Sequence, residues 1–350
     1  MQAVDLSRLS LEQFSAISGK ASERNTRRKA RTDITDALRT VYWVRGIAIR
    51  TGIKSSRGLE KHFEPESFWK STSNDVLRKN KLSKYRYGKH LPSPELVKRV
   101  ESVLPGQSWQ LNHPLWELLA SDTINIDTML RKLDTPLRDR LFRNKSVSNA
   151  KRPPDPPIDR ILANALLRHA SLDSLAAVIL LFKKPLQEEN GEAALAWSNQ
   201  IYRQLVVLGF HFTEHAIAQS LFDLIERRIF SPNPIDGQRY FFPANFYRPA
   251  ISKLLDTMYH LQGLPYTKMS PKDKNIQMSR ILNGNYGWDF KFAFNPFHTD
   301  SKSSPNSQER GLWLFTWAWN MLHSGGHRNL PPGPVLNGTD LFARNSTPLL

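Results

Sequence analysis

Between Ser93 and Gly106 the chain reads SPELVKRVESVLPG, a stretch with a start, a stripe and a stop. Ser93 is a good N-cap and Pro94 suits the first helical position, where a missing N–H costs no intrahelical bond. Leu96, Val97, Val100, Val103 and Leu104 fall at i, i+1, i+4, i+7 and i+8, a single apolar face at helical period. Pro105-Gly106 then stops the helix. Such a face must be covered, and the rest of the chain supplies mostly further helical stripes. The expected fold is all-α, mainly helical.

The segment just upstream is basic. Seven Lys or Arg lie between Lys70 and Lys89 against one acid, Asp75, with Tyr85 and Tyr87 among them. Ammonium and guanidinium groups displace counterions condensed on a phosphate backbone, and aromatic rings contact sugars or bases. Leu77, Leu82 and Tyr85 share a face that also holds Arg78 and Lys81, so one helix and two short helices broken near Asn80 are both open. Gly88 can close this element in the left-handed conformation. Further back, Ile34, Ala37, Leu38, Val41 and Tyr42 predict a helix from Thr32 or Asp33 that Gly46 should end.

Tyr85, Gly88-Lys89, Pro92-Ser93 and the following stripe resemble the end of the recognition helix and the next helix of repressor-like, Cro-like helix-turn-helix domains, over about residues 74–104. The resemblance implies that the first helix of the motif lies upstream, with a small residue four before a turn glycine. IAIRTGIKSSRGLEKHF, with Ala48 and Gly52, is the candidate, although the apolar residue expected six after that glycine is Gly58, with Leu59 one step late. Gly52 and Gly88 are 36 residues apart. Either residues 47–62 form the helix-turn-helix and 70–89 an additional basic element, or a loop holding Phe63, Pro65 and Trp69 is inserted into the motif.

At 350 residues and 40% hydrophobic the chain can bury a sizeable core, and its length favours two domains. Residues 1–152 hold 30 Lys and Arg against 16 Asp and Glu, whereas 153–350 hold 19 against 16. That asymmetry points to one domain that meets a polyanion; a solvated, generally basic surface is the plainer alternative. Residues 20–31, KASERNTRRKAR, read as a basic arm, and 145–157, KSVSNAKRPPDPP, as a linker, because four prolines in five residues cannot continue a helix. The expected organisation is an N-terminal segment with the arm (1–31), a basic helical nucleic-acid-binding domain (32–144), the linker (145–157), a helical C-terminal domain (158–324) and a poorly ordered tail (325–350). Candidate phosphate or base contacts are Arg27, Arg28, Lys29, Arg31, Lys54, Arg57, Arg78, Lys79, Lys81, Lys84, Arg86 and Lys89.

Beyond the linker, helices are expected over 158–169, 172–186, 191–208, 214–230 capped by Thr213, 246–261, 272–282 and 309–323. Asp236-Gly237 before Tyr240 to Phe242 suggests at most a small hairpin. Trp313, Phe315, Trp317 and Trp319 lie among leucines and read as core. No constant internal period suggests a solenoid.

The chain has no cysteine, which excludes disulfides, zinc fingers and thiolate catalysis. Its apolar runs fall far short of the roughly 20 residues that span a bilayer, and its N-terminus lacks a signal-peptide core, so no membrane partner and a cytoplasmic location are expected. His211-Phe-Thr-Glu214-His215 matches H-x-x-E-H, an inverted zinc-peptidase signature. Gly209 and Thr213 argue that the helix starts after His211, which would take the imidazoles off a common face, and no third ligand is evident. No cofactor or metal is expected. No phosphate-binding glycine loop, nucleophile elbow or paired carboxylates stand out. The leading expectation is a DNA-binding protein, a bacterial or phage-like regulator, sequence-specific or sequence-tolerant, that prefers DNA to RNA and dimerises through its C-terminal domain. The alternatives are an interaction protein with an acidic protein partner and an RNA-binding or nucleic-acid-processing enzyme.

Overall fold

The structure, a computed structural model, describes residues 5–19, 33–68, 81–121, 123–143, 158–233, 238–241, 244–262, 269–294, 297–300 and 316–321. The arm at 20–31, the segment 69–80, the linker 145–157 and the tail lie outside the described residues. The chain is mainly helical, as its stripes require. In order, the first helices are α1 (Leu11–Ser18), α2 (Ile34–Thr51), α3 (Ser56–Phe63), α4 (Lys81–Arg86), α5 (Pro94–Val103), α6 (Gln107–Leu111), α7 (Pro114–Ala120), α8 (Ile126–Arg131) and α9 (Thr135–Arg143). They are followed by α10 (Arg160–His169), α11 (Leu172–Gln187), α12 (Gly191–Val207), α13 (Gly209–Glu214), α14 (Ala218–Ile225), β1 (Gln238–Phe241), α15 (Ala244–Gln262), α16 (Pro271–Leu282), α17 (Trp288–Ala293) and β2 (Phe297–Asp300). Among the described residues no helix is long and apolar enough to cross a membrane.

Two compact units emerge: residues 1–139 with 208–229, and residues 140–207 with 230–350. The segment 208–229, grouped with the C-terminal domain by sequence, therefore belongs to the first unit. Its polar bonds show why. Arg228, only 7% exposed, donates to both carboxylate oxygens of Asp33 (2.7 and 2.8 Å), to Thr35 Oγ1 (2.8 Å) and to the Leu119 carbonyl (2.9 Å). Asp223 accepts from the Leu11 N–H (2.9 Å) and the Ser220 hydroxyl donates to the Leu9 carbonyl (2.8 Å). Counted over these units, unit 1 holds 27 Lys and Arg against 19 acids and unit 2 holds 22 against 13. The charge asymmetry seen on cutting at residue 152 thus owes much to residues 140–152, which carry five bases and no acid.

In unit 1, α2 is the central element. Asp33 caps it, its own side chain reaching Thr35 N–H, and Asp36 returns the bond to the cap backbone. The helix passes through Gly46 and ends at Gly52, which takes the left-handed conformation (φ +71°). Gly46 is therefore not a stop. A Cβ there would stand 2.9 Å from Gln110 Oε1 and 3.4 Å from His215 Nε2, so the glycine lets neighbouring polar groups approach the helix. Trp43, Val44 and Ile47 of α2 share one core with Leu59 and Phe63 of α3, Leu82 and Tyr85 of α4, Leu96 and Val100 of α5 and Leu111 of α6. The stripe on α5 holds for Leu96 and Val100, but Val103 at the last turn is 52% exposed. Trp116 on α7, 2% exposed, packs against Tyr42 of α2 with ring centroids 5.7 Å apart.

In unit 2, residues 175–180 of α11 are each 0% exposed. A helix apolar on every side is a central one, and α11 packs along α12. The Tyr247 hydroxyl of α15 donates to the Leu205 carbonyl of α12 (3.0 Å). The expected hairpin takes another form: β1 pairs antiparallel with β2, with Gln238 opposite Asp300 and Phe241 opposite Phe297, and Asp236-Gly237 lie outside the described residues. Of the Trp-rich segment, 316–321 is described as helix, with Ala318 fully buried and Trp317 and Trp319 half-buried.

Candidate functional site

Local signals place α3, α4 and α5. Ser55 caps α3, its hydroxyl accepting from Gly58 N–H (3.0 Å), so the left-handed Gly52 and the capped Ser55 define a tight turn between α2 and α3. The start of α4 is held by α3 and its C-cap: Leu82 N–H donates to Glu60 Oε1 (2.9 Å), and the Lys81 ammonium lies 3.1 Å from Glu64 Oε1. Glu60 is buried, and capping an otherwise unpaired amide accounts for a carboxylate in that position. At the other end, Lys89 N–H reaches the Lys84 carbonyl (3.0 Å) and Gly88 N–H the Tyr85 carbonyl (2.9 Å), the paired bonds of a Schellman closure. Gly88 is left-handed (φ +68°), and a Cβ on it would meet Ala37 Cβ at 2.8 Å and the Ala37 carbonyl at 2.9 Å. Glycine is thus required twice, by the turn and by the close approach of α2.

These restraints fix where the basic side chains go. Leu82 and Tyr85 point inward, and Lys84 and Lys89 are exposed. Arg86 donates from Nη1 to the Lys54 carbonyl (3.0 Å), which ties the end of α4 to the α2–α3 turn, where Lys54 and Arg57 are exposed. Lys54, Arg57, Lys84 and Lys89 have no carboxylate partner among the described residues. Arg45 of α2 adds to the positive field; burial and then repulsion from Arg86 lower its guanidinium below its ordinary value, with Tyr87 and Asp5 opposing. Lys81 and Arg86 already have protein partners, and Arg27, Arg28, Lys29, Arg31, Arg78 and Lys79 lie outside the described residues.

A second polar assembly surrounds the face of α2 at Tyr42 and Gly46. The helix carrying H-x-x-E-H begins at Gly209, before His211, and the Thr213 hydroxyl donates back to the Gly209 carbonyl (2.8 Å) where it was expected to be a cap. Both imidazoles therefore come together, with ring centroids 4.1 Å apart. Tyr42 stacks on His215 at 4.4 Å, and Tyr42 Oη shares a 2.7 Å hydrogen bond with His211 Nε2. His215 Nδ1 donates to the His211 carbonyl (2.8 Å), while Glu214 is exposed. Burial, with His215 adjacent, pushes His211 down to about 3. Burial, reinforced by Arg45 and opposed by the bond to the His211 carbonyl, pushes His215 down to about 4. Both rings are neutral at pH 7. Nearby, Gln107 is fully buried with neither amide atom hydrogen-bonded.

Two imidazoles with Glu214 turned outward do not make a zinc centre, and among the described residues no group of three or more His, Cys, Asp or Glu could hold a metal ion. The Tyr42 contact could not be read from sequence, since it joins residues 169 apart. Arg228 carried only a weak signal, a charge inside the run ERRIF. No family model, curated protein or solved structure matches this chain.

Proposed function

We propose that this chain is a DNA-binding protein that meets duplex DNA through α3, α4 and the turns flanking them, as a helix-turn-helix whose two helices are separated by the inserted residues 64–80. The observation that carries this reading is the bond from Arg86 to the Lys54 carbonyl, which ties the end of α4 to the turn that bears Lys54 and Arg57, while Lys54, Arg57, Lys84 and Lys89 are exposed and have no carboxylate partner among the described residues. Exposed cations without carboxylate partners are free to replace the counterions condensed on phosphates, the main source of affinity in such complexes. Supporting features are the packing of α3 on α4, the left-handed Gly52 and Gly88 that close α2 and α4, and the capping of α4 by Glu60. The basic arm at 20–31 and the bases at 70–79 belong to the same reading as additional phosphate contacts. Regulation of transcription and dimerisation through unit 2 are its biological extension.

The test is competition on the full chain, with a fluorescent DNA duplex displaced by duplex RNA, single-stranded DNA or polyglutamate of matched charge. The reading expects duplex DNA to compete best and polyglutamate to compete poorly. Equal competition by polyglutamate would replace it with an acidic protein partner. Divalent-metal-dependent cleavage of the probe would replace it with a processing enzyme.

A further inference from the structure

Unit 2 holds 22 Lys and Arg against 13 acids, a charge to which the basic surface of unit 1 gives no role. That charge is not spread evenly. The span 172–207, which contains α11 and α12, has three bases against four acids, whereas α10 and α16 together have five bases against one acid, Asp273. The Asp273 carboxylate is already engaged, accepting from the hydroxyl of Ser270, the N-cap of its own helix (2.6 Å). Asp159, just ahead of α10, likewise caps its helix, accepting from the Ile161 and Leu162 amides (2.9 and 3.0 Å). Arg160, Arg168, Lys272 and Arg280 are all exposed and have no carboxylate partner among the described residues.

Two side-chain bonds fix how these cations are arranged. Asn275 Nδ2 of α16 donates to the His169 carbonyl at the end of α10 (3.4 Å), and Asn283 Nδ2, just after α16, donates to Asn164 Oδ1 in the middle of α10 (3.0 Å). The two helices therefore pack side by side and antiparallel. Eight residues separate Arg160 from Arg168 and Lys272 from Arg280, about 12 Å along each axis and within a quarter turn of one side. Packed helix axes lie about 8–10 Å apart, so the four cations frame a patch of about 12 by 10 Å. The major groove of B-form DNA is about 12 Å wide, and a patch of this size reaches phosphates of both strands across it. Three of the four are arginines, whose guanidinium forks match phosphate oxygens in pairs. An anionic lipid surface would ask for an apolar face to bury as well. On α10 and α16 only Ile161, at 82%, is a large hydrophobic side chain left exposed among the described residues. A single aliphatic side chain of that kind suits contact with a thymine methyl.

We propose that unit 2 binds the backbone of duplex DNA through Arg160 and Arg168 of α10 and Lys272 and Arg280 of α16, a second contact surface on the same chain. The chain enters α10 from residues 140–152, five bases and no acid, which extends the same positive field. The proposal rests on the DNA-binding reading for its partner, but not on Lys54, Arg57, Lys84 or Lys89. Contacts to phosphates carry no sequence information, so this surface adds affinity and salt dependence without sequence preference. Two surfaces on one chain reinforce each other, because the first contact raises the effective concentration for the second.

The test compares the salt dependence of duplex affinity for the full chain, the unit 2 variant Arg160→Ala, Arg168→Ala, Lys272→Ala, Arg280→Ala, and the unit 1 variant Lys54→Ala, Arg57→Ala, Lys84→Ala, Lys89→Ala. Loss of four phosphate contacts in unit 2 should flatten log K against log salt by up to about 3.6, equally on duplexes of unrelated sequence. The melting temperature should stay within about 2 °C of the parent. If the quadruple variant does not fold, the pair Arg168→Ala, Arg280→Ala decides, with an expected flattening of up to about 1.8. A folded unit 2 variant with the parent's affinity and slope overturns the proposal, whatever the unit 1 variant does. If the unit 2 variant loses slope while the unit 1 variant keeps it, the proposal stands and the basic surface of unit 1 is not where DNA binds. A parent that binds no duplex overturns both. Phosphatidylserine vesicles and polyglutamate test the other partners: binding to either that the unit 2 variant loses, with duplex affinity unchanged, assigns this face to a lipid surface or an acidic protein and overturns the proposal.

Discussion

Mild acidification should destabilise unit 1 through His211 and His215. Both imidazoles are held neutral, at about 3 and about 4, against roughly 6.5 in an unfolded chain. Because the folded values are depressed, the unfolded state alone takes up these protons between those limits, so stability is full above about pH 6.5 and falls as the pH drops below it. At pH 5.5 each histidine costs about 1.3 kcal/mol relative to pH 7, and the pair about 2.5 kcal/mol. For a unit of this size that is a fall in melting temperature of about 5–10 °C. The groups around the pair do not cancel it. Tyr42 is raised by burial and stays protonated, and Arg45 stays charged throughout. Asp223 of the neighbouring α14 and Glu226 just after it are raised by burial, Glu226 also by Asp223, so their folded forms gain protons first and offset part of the loss. Circular-dichroism melts of the full chain from pH 7.5 to 5.5 read the effect, and the double variant His211→Gln, His215→Gln assigns it. A parent whose transition does not move, or a double variant that falls as steeply as the parent, would refute the argument from burial.

Other perturbations probe the frame that positions the basic surface. Tyr85 is 7% exposed in the α4 core, so Tyr85→Ala should cost about 3 kcal/mol in denaturant titrations, and a loss under 1 kcal/mol would mean that α4 is not seated there. Gly88→Ala should cost at least about 1–2 kcal/mol for the left-handed backbone alone, before the clash with Ala37. Arg228→Ala removes four bonds and leaves Asp33 without its partner, an expected loss of about 3–5 kcal/mol; cleavage between the segments that Arg228 joins should likewise destabilise unit 1.

What could be read from the sequence was local. Gly88, Ser93-Pro94 and Asp33 sit where turn and cap chemistry put them, because a left-handed glycine or a capping oxygen acts within four or five residues. What could not be read depended on partners far along the chain. Gly46 looks like a stop, yet its helix continues because Gln110 and His215 need the space that a side chain would fill. Thr213 and Gly209 looked like the approach to a helix, yet α13 already contains both, and the imidazoles meet on Tyr42. The return of 208–229 to unit 1 rests on bonds such as Arg228 to Asp33, 195 residues apart, for which no periodicity exists. The basic surface was half legible. Lys54, Arg57, Lys84 and Lys89 were candidates by type and are exposed, but that Lys81 serves Glu64 and Arg86 serves the Lys54 carbonyl follows only from packing.

The most direct test of the DNA-binding surface is the salt dependence of duplex affinity for the full chain and for the variant Lys54→Ala, Arg57→Ala, Lys84→Ala, Lys89→Ala. Each phosphate contact contributes about 0.9 to the slope of log K against log salt, so removal of all four should flatten it by up to about 3.6. The melting temperature should stay within about 2 °C of the parent, because exposed charges contribute little to stability. A folded variant with a markedly shallower slope and weaker binding is the expected result; a folded variant with the parent's affinity and slope would show that DNA does not meet this surface.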